Sequence, residues 1–411
     1  MTPVFVLGGA QTDFERNWTR EGLGLLEMFA EVVPAALADA EVDVAEVEVA
    51  HVGNLAGELF CGQAQLGGLL VAAVDGLDGV PSTRHEAACA SGSTAVLAAC
   101  ADLQAGRYDL ALVVGVELMR NVGGQTAAEH LGSAAWVGHE AKQSRFVWPA
   151  LFAEVAEVYE DRYGLDPEHL GAFARQAFDN ARHNPLAHAR SWTFDDAAFG
   201  TDDAANPFVE GRLRRSDCGR ITDGAVAVLL ASPEFAARWA GRHGKTLERT
   251  PAITGFGHRT AHLSLAGKLA GTEQGDYLFP QLRGVVTDAY RRAGLSGPDD
   301  IDLVELHDCF TITGLVAVEH LGLAEPGKGG RLIADGGTGR GGRVPVNPSG
   351  GLIGAGHPVG ATGVRMLHDV ARQVTDRAGD CQVEGARTGM TLNVGGSFTT
   401  VVATVVRTGT G

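Results

Sequence analysis

The feature that most limits the fold of this sequence is a repeat of order, because its second half passes through the same stations as its first. In the first half, a helical pattern at residues 32–40 is followed by a strand at 47–52. A small-residue turn then enters a helix at 89–106, and a continuous apolar strand follows at 110–116. In the second half a helix at 285–293, a strand at 302–306, a small-residue turn entering a helix at 357–374 and a strand pair at 390–406 come in the same order. Alternating strands and helices imply βαβ units and a mainly parallel sheet. Two such αβα units fused together would place Cys89 and the turn at His357 near a shared pseudo-twofold axis. A pocket between the halves is then the natural place for a site.

The rest of the chain fills in this frame. Val4 to Leu7 reads as a buried strand running into a Gly8-Gly9 turn. Helical spacing from Leu25 to Ala40 contains Pro34, where a kink is expected. Residues 43–52 alternate into a strand ending at Gly53-Asn54, and a Gly-rich helix is expected around 63–74. From about residue 119 to 216 His, Trp, Asn and charged residues become frequent, and two amphipathic helical stretches appear, so this segment reads as an insertion. The scaffold resumes with a buried strand at 225–231. Residues 233–250 then read as a basic helix and linker. These patterns divide the chain into a first half at 1–235, insertion included, and a second at 250–411.

The length of 411 residues allows two or three domains, and the formal charge of −17 argues against nucleic acid or an anionic membrane surface as partner. The six cysteines are scattered without metal-ligand spacing, so neither a zinc site nor a disulfide framework is expected. The opening residues carry no signal pattern and no apolar run is of membrane-spanning length, so the chain reads as cytoplasmic with reduced thiols.

Four stations carry candidate chemistry. Cys89 precedes a helix that is apolar almost all round, where a helix N-terminus favours the thiolate. A core-filling cysteine fits that stretch equally well, and Cys100 reads as one. His357, on the glycine-rich turn 350–363, suits a base for a thiol; an ordinary histidine on a connector suits the pattern too. In HDCF, residues 307–310, Cys309 and His307 offer a second acid/base and a hydrogen-bond donor if the loop folds back over Cys89; otherwise Cys309 packs inward and His307 and Asp308 cap the next helix. Gly395 and Gly396 offer amides for an oxyanion or serve as bulge glycines.

Taken together, CASGSTA around Cys89, HDCF at 307–310 and NPSGGLIGAGHPVGATG at 347–363 resemble the thiolase superfamily, and specifically its sterol-carrier-protein-type branch. SDCGRITDGAVAVLL at 216–230 resembles the strand that leaves the family's loop domain. The resemblance implies a five-layered αβαβα thiolase fold of two duplicated α/β halves, with a CoA-binding loop domain inserted at about 119–216. It implies a homodimer or homotetramer acting on acyl-CoA and CoA as substrates, with no further cofactor and no metal. Cys89 would be the acylated nucleophile and His357 its base. The usual C-x-G cysteine is replaced by Asn393 in Asn393-Val394-Gly395, which transfers its role to Cys309. One oxyanion hole would use the amides of Cys89 and Gly395, the other His307 and His357 with a water. No motif in the loop domain fixes the CoA contacts. His85-Glu86-Ala87-Ala88 also departs from the polar residues common before the nucleophile, which bears on acyl-chain preference.

The reaction expected is thiolysis of a 3-oxoacyl-CoA or the reverse Claisen condensation. A ketosynthase-like condensing enzyme is the nearest alternative, and HDCF counts against it. A non-catalytic subunit working with a small partner protein is the other.

Overall fold

Strands that place alternate residues in two different cores can be apolar along their whole length, and this governs the architecture. The computed structural model describes residues 1–273 and 275–408. The chain begins with β1 (Val4–Gln11), α1 (Leu25–Ala40), β2 (Val49–Gly53), α2 (Gly57–Cys61), α3 (Leu66–Ala73), β3 (Ser82–His85), α4 (Ser91–Gln104) and β4 (Leu110–Glu117). A segment with α5 (Gly124–Gly132), α6 (Val147–Tyr163), α7 (Pro167–Ala181) and a short hairpin, β5 (Phe208–Glu210) and β6 (Leu213–Arg214), leads to β7 (Gly224–Ala231). There follow α8 (Pro233–His243), β8 (Ala252–Thr260), α9 (Leu265–Leu269), α10 (Pro280–Ala293), β9 (Leu303–Leu306), α11 (Thr311–Leu321) and α12 (Gly329–Ala334). The chain closes with α13 (Gly351–Gly354), α14 (Thr362–Gln373), β10 (Thr388–Gly395) and β11 (Thr400–Arg407).

In β4, Leu110, Leu112, Val114 and Val116 join an outer core with α1, α3 and α8. Ala111 and Val113 face a central core with Ala95, Val96 and Ala99 of α4 and Val364, Leu367 and Val370 of α14. Beyond these helices, β8 to β11 turn their other face to α10 and α11. The layers are therefore helix, sheet, helix, sheet, helix, with α4 and α14 packed against each other in the middle. The strands run in the order β3-β2-β4-β7-β1-β8-β11-β10-β9. The sheet passes from one half to the other at β1 and β8, which pair through Val4↔Ile253 and Phe5↔Ala252. The segment bearing α6 and α7 packs into the same core as α10 and α11, so it lies on the second half although it departs from the first.

Three expectations are corrected. The sheet is mixed, not mainly parallel: β2 pairs in parallel with β3 and β4, and β9 with β10, while all other pairings in it are antiparallel. The tight turn between Gly395 and Thr400 forces an antiparallel pair, whereas parallel neighbours need a crossover. Gly8 and Gly9 are not a turn but lie within β1, opposite Leu229 and Val228. A Cβ on Gly8 would come within 2.6 Å of the Ala40 backbone, so glycine there serves the approach of α1. Residues 43–52 do not alternate; a 3-10 turn at Val44–Glu46 precedes the fully buried β2. β8, with its interspersed glycines and half-exposed face, is a strand that the apolar pattern does not announce. Pro34 lies inside α1, where its missing hydrogen bond costs about 3 kcal/mol. The burial of Met28, Phe29, Val32 and Val33 along the same helix offsets this.

Candidate active site

Cys89 lies in the tight connection between β3 and α4. Ser91 Oγ donates to the Ala88 carbonyl at 2.6 Å and accepts from the Ala87 amide at 2.9 Å, which winds the chain into the helix. Ala88 is held at φ +52, an uncommon conformation for a residue with a Cβ, immediately before the half-buried sulfur. The end of β10 closes on this turn: a Cβ on Gly395 would sit 2.2 Å from the Ala87 carbonyl, so only glycine permits the approach. The backbone amides of the next residue, Gly396, and of Cys89 itself lie near the sulfur and favour its thiolate.

His357 is delivered from the second half by the loop before α14. Its Nδ1 lies 2.7 Å from Thr362 Oγ1, whose own proton goes to the Pro358 carbonyl at 2.9 Å. The threonine oxygen therefore accepts, which places the imidazole proton on Nδ1 and leaves Nε2 bare. Nε2 is buried without a hydrogen-bond partner among the described residues. The loop is fixed to the first half by Glu117, whose carboxylate accepts from the amides of Leu55, Ala56 and Gly360 and from Asn54 Nδ2. A Cβ on Gly360 would meet the Val116 carbonyl at 2.5 Å.

HDCF follows β9. The His307 amide bonds the Leu392 carbonyl at 2.8 Å, extending the parallel ladder by one residue. Asp308 does not cap α11; it accepts from the Leu352 amide at 2.6 Å and so ties the motif to the segment leading to His357. The Gly219 amide donates to the Cys309 carbonyl at 2.8 Å, and the Cys309 sulfur lies 3.8 Å from Thr313 Oγ1. The four stations thus meet. Ring nitrogens of His307 and His357 and the Cys89 sulfur lie within 4.8 Å of one another, and the two rings stand edge to face with centroids 5.1 Å apart. Cys89, Cys309 and His357 share a cavity of about 210 Å³ walled by Met119, Trp148 and Phe152.

Burial sets the resting protonation. Desolvation pushes the Cys89 thiol up to about 12 against the two amides that favour its thiolate, so the helix-end thiolate expected from the sequence is not the resting form. Cys309 is likewise pushed well above the ordinary thiol value, first by burial and then by Cys89. Desolvation holds His357 down to about 3 and His307 well below its usual value, with His357 adding to the latter. The site therefore rests as neutral thiols beside neutral imidazoles. The sulfur and two ring nitrogens are also the one group among the described residues spaced to hold a metal ion. All six cysteines are free.

The sequence reading missed Thr362 and Glu117. A glutamate closing a run of eight buried residues was the available signal for Glu117, since an acid is hardly ever placed there without partners. Thr362 gave none, being one small residue in a Gly-rich turn.

The family models for the N-terminal domain of thiolase and for a thiolase C-terminal domain-like region match residues 4–193 and 266–408. An acetyl-CoA acetyltransferase of Methanothermobacter thermautotrophicus is 36% identical over 97% of both chains. The chain belongs to the thiolase family. It is an acyltransferase of the thiolase type. Human sterol carrier protein 2 is 30% identical to this thiolase, over 95% of the chain and 70% of the relative. Among solved structures, an Ltp2-ChsH2(DUF35) aldolase shares its fold with a TM-score of 0.79 at 21% identity, covering 100% and 99% of the two chains. Human mitochondrial 3-ketoacyl-CoA thiolase in complex with CoA gives 0.70 at 17%, covering 99% and 98%. No helix among the described residues is long and apolar enough to cross a membrane.

Proposed function

We propose that this thiolase cleaves a 3-oxoacyl-CoA with CoA, or condenses in reverse, through an acyl-enzyme on Cys89. The observation that carries this reading is a thiol facing a bare imidazole nitrogen, with a second thiol in the same largely apolar cavity. His357 Nε2 takes the Cys89 proton as the sulfur attacks the 3-oxo carbon. The amides at Cys89 and at the Gly395–Gly396 corner receive the oxyanion. Collapse breaks the bond between the 2- and 3-carbons. The electron pair leaves as the enolate of acetyl-CoA, steadied by His307 and His357. Cys309 protonates the enolate, then recovers a proton from the incoming CoA thiol, whose sulfur takes the acyl group from Cys89. The proton held by His357 returns to Cys89. CoA is a substrate in these steps, and none of them calls for a further cofactor.

Intact-mass spectrometry after mixing with acetyl-CoA tests the first half: a mass gain of one acetyl group is expected in the wild type and none in Cys89→Ala. Acylation of Cys89→Ala at the wild-type level would reject the assignment. A homodimer or homotetramer, and a small partner protein of the DUF35 kind seen in the aldolase complex, are part of the same proposal. Light scattering of the purified chain, alone and with such a partner, is the corresponding measurement.

A further inference from the structure

One side chain on the cavity wall has no part in the steps above. Arg220 faces the same cavity as Cys89, Cys309 and His357, from the segment joining β6 to β7. The other walls are almost wholly apolar, and with His357 neutral, Arg220 is the only permanently charged group lining the cavity among the described residues. It is half-buried, and among the described residues its single hydrogen bond runs from NH2 to the Arg215 carbonyl at 3.4 Å. Among the described residues no carboxylate stands against it: burial lowers its pKa, the Cys218 thiol beside it raises it, and Arg215 lowers it further. The chain has 50 acidic residues against 33 basic ones, and many of its other arginines are ion-paired. An unpaired guanidinium in an apolar wall is costly unless a ligand brings the missing anion.

Two anionic groups of an acyl-CoA offer that chemistry: the phosphates of CoA and a carboxylate at the far end of the acyl chain. The cavity contains the sulfur that carries the acyl group, so acyl carbons fill it. The pantetheine arm holds the diphosphate many bonds from the thioester, outside a space of this size. The wall between is apolar, which suits the methylenes of a short chain. Resting on the thiolase reading above, we propose that Arg220 is a specificity-determining residue that receives the terminal carboxylate of the acyl group, so that the preferred substrates are CoA thioesters of oxo-dicarboxylic acids. A guanidinium meets a carboxylate in a two-pronged geometry that an ammonium cannot reproduce.

The test is binding, independent of turnover. Adipyl-CoA and hexanoyl-CoA have the same chain length and differ by the terminal carboxylate, and isothermal titration into Cys89→Ala gives their affinities without acylation. The Kd ratio of hexanoyl-CoA to adipyl-CoA is expected to exceed about tenfold, the scale of one charge-assisted hydrogen-bonded pair. In Cys89→Ala with Arg220→Met the ratio is expected to fall to near 1. A ratio near 1 before Arg220 is changed overturns the proposal whether or not the Met variant folds, and a ratio that survives the change does so too. An equal loss of affinity for both ligands assigns Arg220 to the CoA phosphates and rejects the carboxylate. Absence of thiolysis with every 3-oxoacyl-CoA would instead count against the catalytic reading and leave this ratio readable.

Discussion

Thr362 fixes the tautomer of His357: its oxygen stands 2.7 Å from Nδ1 while its proton is committed to the Pro358 carbonyl, so the nitrogen left for Cys89 carries a lone pair. Thr362→Val removes that acceptor and leaves Nδ1–H buried without one. Turnover is expected to fall about 10- to 100-fold as the wrong tautomer competes. Thr362→Ser keeps the hydroxyl and should restore most of it. Equal damage in both variants, by steady-state kinetics, would show that packing and not tautomer is at stake.

Cys309 and Cys89 share the cavity but are expected to act at different moments. Cys309→Ala should still take an acetyl group from acetyl-CoA in the mass spectrometer. Thiolysis of acetoacetyl-CoA should slow by about 10²- to 10⁴-fold, the usual contribution of a positioned acid/base. Normal turnover would make Cys309 a packing residue.

The raised thiol of Cys89 gives a signed pH dependence. Because burial puts its value near 12, the thiolate fraction rises with pH throughout the neutral and mildly alkaline range. Alkylation of Cys89 by iodoacetamide should therefore accelerate about tenfold per pH unit between 7 and 9. A rate that levels off below pH 8 would mean that His357 and Cys89 rest as an ion pair.

The spacing of Cys89, His307 and His357 suits a soft divalent cation, with one position left open. Micromolar Zn²⁺ is expected to inhibit and EDTA to restore activity. Because the thiol must lose its proton to bind, inhibition should strengthen as pH rises. Titration calorimetry with Cys89→Ala should show the binding heat lost; undiminished binding would place the metal elsewhere.

Glu117 holds the His357 loop to the first half, through Gly360 on one side and Leu55 and Ala56 on the other. Glu117→Ala orphans three buried amides and is expected to cost about 3 kcal/mol in urea unfolding. Burial raises this carboxyl from 4.5 to about 7. Its neutral form is thus favoured in the fold, and its contribution is full below pH 4.5 and is lost as pH rises through 7. Relative to Glu117→Gln, the wild type should lose melting temperature across that window. A constant difference would show that the four donors keep the carboxylate ionised throughout.

Much of this molecule could be read from the chain. The helix at Leu25–Ala40 falls within the residues its spacing marks, and β4 and β7 coincide closely with their apolar runs. The thiolase family was legible from three short motifs. Sheet polarity was not, because parallel and antiparallel buried strands have the same composition. Nor was β8, whose glycines answer to helix α10 packed over them: a Cβ on Gly257 would lie 2.0 Å from the Val285 carbonyl.

Residue type and local spacing determined by themselves which groups could react, because a turn of small residues and a nearby helix are made by neighbours along the chain. The protonation of those groups was decided only by the tertiary structure. It removes water from Cys89 and His357 together, across more than 260 residues of sequence, and desolvation outweighs the helix-end field that the local sequence alone suggested.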